Sequence, residues 1–161
     1  MSVFFEEITA HLTADAGKTL LRRIFGNEIR ITSPLNDKVL QHDPQPHGSN
    51  VSYEVRGKLR RGPRGHEIWL LVENRTTGEV WPHGFFAVKH EPTGDWHGRV
   101  HGTRGQKVRV IAVVAPPTSH DFFTYSEKVI RKTGGHVVSL DHIPAECRNR
   151  ASVQTSFPAG S

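Results

Sequence analysis

Eleven histidines are spread along this 161-residue chain, and three of them, His90, His97 and His101, fall within one short stretch. If GDWHGRVH is extended, alternation puts His97, Arg99 and His101 on one face and Trp96 and Val100 on the other. Two imidazoles so spaced stand about 7 Å apart on a strand, and Arg99 between them opposes a divalent cation. The triplet reads as a cationic face, and with no HExxH, CxxC or carboxylate triad in the sequence no metal site is expected. For nucleophilic chemistry the candidates are Cys147 with His142, and Ser119 or Ser139 with His120 and Asp121. No G-x-S-x-G elbow accompanies them, and adjacency in sequence is not a catalytic geometry, so no catalytic residue is assigned and no enzyme is expected. Asp141 and Glu146 read as solvated loop carboxylates. Gly17-Lys18-Thr19 looks like the end of a phosphate loop, but Leu12 stands where the first glycine is required and no buried strand leads into it. Nucleotide hydrolysis is thereby set aside, and no cofactor is expected.

Cations have more to offer as a surface. In VSYEVRGKL the residues Val51, Tyr53 and Val55 alternate with Ser52, Glu54 and Arg56, the pattern of a strand with one buried and one wet face. If this strand lies beside GDWHGRVH, then Arg56 and Lys58 join His97, Arg99 and His101 on one outer sheet face, and the following turn adds Arg60, Arg61 and Arg64. Such a patch suits an acidic protein, a nucleotide phosphate or a nucleic-acid backbone, with an affinity that falls with salt. A net charge of +5 permits an anionic partner, and a solvated basic face is the plain alternative. No aromatic stacking platform accompanies the cations, so no specific nucleic acid is expected.

The elements that must position these residues are mostly strands. KVRVIAVV turns Val108, Val110, Ala112 and Val114 inward, and RASVQTSF alternates Ala151, Val153 and Thr155 against Ser152, Gln154 and Ser156 as a closing edge strand. HEIWLLV is apolar on both sides, so something must cover Trp69 and Leu71 as well as the opposite face. Turns are explicit at Arg61-Gly62-Pro63-Arg64-Gly65, Thr76-Thr77-Gly78, Pro92-Thr93-Gly94-Asp95 and Gly102-Thr103-Arg104-Gly105. Trp81-Pro82-His83-Gly84 marks a sheet edge or bulge, because proline cannot donate to a central ladder. Trp81 beside Phe85 is either an exposed docking aromatic or core.

Two helical pieces frame this cadence. Residues 1–27 open with Ser2 as N-cap and close with Arg22, Arg23 and Gly26-Asn27. At about 100° per residue, Phe4, Phe5, Ile8 and Leu12 cluster on one side, while Leu20, Leu21, Ile24 and Phe25 rotate away past Gly17. This amphipathic segment is read as an interface with the remaining chain or another copy, with insertion into a membrane surface as the secondary reading. A second helix is expected over about 119–133, with Ser119 as cap and Phe122, Phe123, Ser126, Val129 and Ile130 near one face. The expected domain therefore spans 28–157, with this helix inserted before the last strand and a flexible tail at 158–161.

The succession ITSP, YEVRGKL, a glycine-rich turn, IWLLV, Trp81-Pro82, a short apolar strand, TGDW and KVRVIAVV resembles bacterial immunoglobulin-like and fibronectin-type-III-like sandwich modules over residues 28–156. It also resembles the sandwich modules of bacterial signalling and conflict proteins in which a helix precedes the last strand. The resemblance implies an antiparallel β-sandwich in a recognition or scaffolding role, and it transfers no catalytic residue. Cys147 is the only cysteine, which excludes an internal disulfide, and without a recognisable secretory leader a cytoplasmic setting is expected. The function expected is a non-enzymatic recognition or assembly module of a bacterial signalling or defence system. It would act through contacts with another protein or with copies of itself. Two alternatives stand beside it: a membrane-acting effector using the N-terminal segment, and an anion or nucleotide sensor using the basic sheet face.

Overall fold

The computed structural model describes residues 28–40, 51–60, 62, 64–83, 88–133 and 139–159. The expected N-terminal interface residues Phe4, Phe5, Ile8, Leu12, Leu20, Leu21, Ile24 and Phe25, together with Arg61 and Phe85, lie outside these described residues.

Period-two burial produces the strands β1 (Ile29–Ser33), β2 (Val51–Leu59), β3 (Glu67–Asn74), β4 (Val80–Pro82), β5 (Lys89–His90), β6 (Asp95–Gly102), β7 (Lys107–Ala115) and β8 (Arg150–Ser156), with one helix, α1 (Pro117–Lys132), between β7 and β8. They form two four-stranded antiparallel sheets, ordered β1-β2-β6-β5 and β4-β3-β7-β8. The protein is thus mainly β. The sheets face one another over a common core, in which Tyr53, Val55, Trp96 and Val100 of the first meet Leu70, Val72, Val108, Val110, Ala112 and Val153 of the second. Tyr53 and Val55 of β2, Trp96 and Val100 of β6, and Val108, Val110, Ala112 and Val114 of β7 point inward as expected, because alternate residues of a strand point to opposite faces; Ser52, expected on the wet face of β2, is instead fully buried. β8 closes the second sheet as expected, with Val153 and Thr155 buried.

Why β3 is apolar on both sides is now visible. Ile68, Leu70 and Val72 enter the core between the sheets, whereas Trp69 and Leu71 face outward beneath Phe123 of α1 and Leu140 and Cys147 of the loop that follows. Each such side chain contributes roughly 1.5–3 kcal/mol by leaving water, so α1 is held mainly by what it covers. The helix begins two residues earlier than expected: Pro116 is its N-cap and Pro117 its first residue, so Ser119 lies inside the helix and is not the cap. Proline suits that position since the first helical N–H has no partner to lose. The expected apolar face also needs correction. Ser119, Phe123 and Ser126 are buried, but Phe122 is 45% exposed, so the helix meets the sheet along the Ser119, Phe123 and Ser126 line and Phe122 lies at its margin.

Trp81 lies on the edge strand β4 opposite Val72, with Val80 and Pro82 buried on either side of it. That edge is partly covered, as the Leu140 N–H donates to the Val80 carbonyl at 2.7 Å. No helix among the described residues is long and apolar enough to cross a membrane.

Candidate anion-binding cleft

The pairing of three strands builds the site. Arg30 of β1 is opposite Lys58 of β2, and Lys58 is opposite Asp95 of β6, so the three side chains form one row across the outer face of the first sheet. Beyond the end of β2 the chain continues to Arg60, whose N–H donates to the Glu28 carbonyl at 3.3 Å and so stays beside the start of β1. Pro92, Thr93 and Gly94 bring the β5–β6 turn against the same corner, where the Leu59 N–H donates to the Gly94 carbonyl at 2.7 Å. Gly94 has φ +89, and a Cβ there would stand 2.7 Å from the Leu59 carbonyl oxygen, so this approach needs glycine. The result is an open cleft of about 540 Å³ lined by Glu28, Arg30, Lys58, Arg60 and that turn.

Its charges are partly matched. Arg30 Nη2 donates to Glu28 Oε2 at 2.6 Å, which holds the Glu28 carboxyl below its usual range and raises Arg30. Lys58 Nζ lies 3.4 Å from Asp95 Oδ1, and Thr93 Oγ1 donates to Asp95 Oδ2 at 2.9 Å. The Thr93 hydrogen bond, followed by Lys58, holds the Asp95 carboxyl low. Arg60 has no ion-pair partner within 4.0 Å among the described residues. Three cations therefore meet two carboxylates, and Arg60, whose charge helps to lower Glu28 without forming a close ion pair with it, leaves the cleft one positive charge in excess. An incoming carboxylate or phosphate oxygen can take up the guanidinium donors of Arg60 and compete for those of Arg30.

The remaining cations expected on this face are distributed less simply. β2 and β6 are neighbours as anticipated, with Arg56 opposite His97, Glu54 opposite Arg99 and Ser52 opposite His101. Arg56, however, is held by Glu54, its Nε and Nη2 donating to Oε2 at 2.9 and 2.8 Å. The face is a chequer of both signs rather than a uniform basic patch. Arg64 is exposed in the β2–β3 turn and is not among the residues lining the cleft. Arg30 and Glu28 were missed in the sequence; Arg30 alternates with Ile29 and Ile31, but only long-range pairing shows which cations it joins.

His83 and His101 pack against one another. His83 follows β4 and stacks on His101 with ring centroids 6.1 Å apart, its Nδ1 accepting the His101 backbone N–H at 3.3 Å. Burial, and secondarily the neighbouring His101, pushes the His83 pKa down to about 3, so the ring stays neutral near pH 7. Among the described residues no group of three or more His, Cys, Asp or Glu is placed to hold a metal ion.

The nucleophile candidates have other partners. Ser119 Oγ donates to Glu146 Oε1 at 2.9 Å, and Trp69 Nε1 donates to His120 Nδ1 at 3.0 Å, which occupies the nitrogen a general base would use. Cys147 is buried, and desolvation pushes its thiol up, away from the reactive thiolate. Asp121 and His142 are exposed, and Ser139 is half-buried. Comparison of the chain with protein-family models and with curated proteins finds no match, which leaves the geometry of the Arg30, Lys58 and Arg60 cleft to carry the functional reading.

Proposed function

We propose that this chain is a non-enzymatic recognition module of immunoglobulin-like type that binds an acidic segment of a partner protein. The strand order supports the fold reading. Lettered along the chain with β4 as an added C′ strand, the sheets read A-B-E-D and C′-C-F-G, as in immunoglobulin-like sandwiches. The observation that carries the function is the cleft in which Arg60 stands unmatched beside Arg30 and Lys58, at an end of the sheet where turns are free to contact a partner. Carboxylates in a peptide satisfy this arrangement one at a time along the Arg30–Lys58 row, and the resulting contact is charge-assisted and sensitive to salt. A bacterial signalling or defence setting, in the cytoplasm, is the context we infer from the resemblance of the strand succession. The membrane-acting reading depends on residues 1–27 and would show as vesicle binding lost in a chain beginning at Glu28.

A hexaglutamate peptide titrated into the full chain, followed by fluorescence anisotropy, tests the reading. Binding that weakens with added salt and falls about tenfold in Arg60→Ala is expected, the loss of one charge-assisted contact. Peptide affinity unchanged in both Arg60→Ala and Arg30→Ala would discard the cleft. The same cleft supports a second reading, a sensor of a small anion or nucleotide, since its volume of about 540 Å³ accommodates a phosphate. Competition of the peptide by inorganic phosphate at low concentration would favour that reading.

A further inference from the structure

The outer face of the second sheet is covered unevenly. Helix α1 lies over Trp69 and Val113, but the strip nearer the other end of β7 lies between the β3–β4 turn, β8 and the loop after α1. A groove of about 530 Å³ opens there, away from the first sheet and its basic cleft. It is lined by the apolar Val80, Ile111 and Ile143 and by the polar side chains of Glu73, Arg109, His142, Arg150 and Ser152. Register explains the convergence: Ser152 is opposite Ile111 and Arg150 is opposite Val113, so the outward side chains of β8 share the face of Ile111.

The two arginines differ in state. Arg109 Nη1 is 3.1 Å from Glu73 Oε2, an ion pair that is part-buried. Arg150 is exposed and has no ion-pair partner within 4.0 Å among the described residues. We propose that this groove is a second binding site, selective for a small organic carboxylate with an apolar body. The carboxylate accepts from the Arg150 guanidinium, with the His142 imidazole and Ser152 hydroxyl as further donors, while the body lies against Ile143 and Ile111. An open groove of this size, in which apolar side chains stand beside convergent polar groups, has room for the body of a small molecule as well as for its carboxylate. The pairing of Glu73 with Arg109 leaves Arg150 as the anchor, and inorganic phosphate has no apolar body to lie against Ile143.

Amide chemical shifts of the full chain titrated with hexanoate, acetate and inorganic phosphate test this. Hexanoate should perturb amides in β8 and at His142 and Ile143, more tightly than acetate, and phosphate should leave them unmoved. Arg150→Ala should weaken hexanoate about tenfold, with an unchanged circular dichroism spectrum, and Arg60→Ala should have no effect on it. Absence of hexanoate shifts in this groove, equal affinity for acetate and hexanoate, or an unchanged affinity in folded Arg150→Ala would each overturn the proposal.

Discussion

His83 shows what one partly buried ring imposes on the protein. Its Nδ1 accepts the His101 N–H only while deprotonated, and burial lowers its pKa to about 3, against about 6.5 for an exposed histidine. Between these values the unfolded chain binds the proton and the folded chain does not, so unfolding takes up protons. His83 therefore lowers stability as pH falls from about 6.5 towards 3 and contributes no pH dependence above that window. Urea midpoints measured from pH 7 to pH 4 should fall less in His83→Gln, whose amide oxygen can still accept a hydrogen bond; an identical fall would remove His83 as the cause. Trp96 poses the reverse case, since its ring is 1% exposed and its indole N–H is buried without a hydrogen-bond partner among the described residues. Trp96→Phe deletes the orphaned donor along with some packing, so thermal unfolding should place it within about 1 kcal/mol of the parent chain, against 3–5 for a typical truncation to alanine. Cys147, with its thiol pushed up by burial, should react with iodoacetamide near neutral pH only after denaturant is added.

At the level of the elements, two strands of the first sheet depend on a missing side chain. A Cβ on Gly57 would stand 2.0 Å from Trp96 Cζ2 and 2.1 Å from the Arg30 carbonyl oxygen, and one on Gly102 would stand 1.7 Å from Phe157 Cε2. Gly102→Ala must push a fully buried ring out of its place, so a loss of about 1–3 kcal/mol is expected in denaturant unfolding. Sheet edges are managed by side chains and loops. The Asp37 N–H donates to the Gln154 carbonyl at 2.8 Å, the Asn36 Oδ1 accepts the Gln154 N–H at 2.9 Å, and the Leu40 N–H donates to the Ser156 carbonyl at 3.1 Å, so a short strap covers much of β8. Asn36→Ala should cost about 1 kcal/mol and speed hydrogen exchange at Gln154 relative to the amides of β7. None of this strap is evident in the local pattern, because the partners of Asn36 and Asp37 lie more than a hundred residues away on β8.

Across the whole molecule, a net charge of +5 is less informative than its placement. Arg56 is taken by Glu54, Lys58 is near Asp95, and Arg109 is held by Glu73, which leaves Arg60 and Arg150 as cations facing two separate cavities. The inward faces of β2, β6, β7 and β8, and the need for a cover over Trp69, were legible because burial with a period of two is written into neighbouring residues. So was the adjacency of the Arg56 and His97 strands, once an antiparallel sandwich was assumed. The helix was legible in position but not in facing, since Phe122 and Phe123 are equally apolar and only contact with the sheet chooses between them. By itself, then, the sequence determined most of the strands though not β5, the helix before the last of them and the absence of an internal disulfide, all consequences of local periodicity and composition. Tertiary structure alone decided which cations are matched. Arg30 meets Lys58 through β1–β2 pairing and Arg150 meets Ile111 through β7–β8 pairing, and such proximities between distant residues arise only when the sheets assemble.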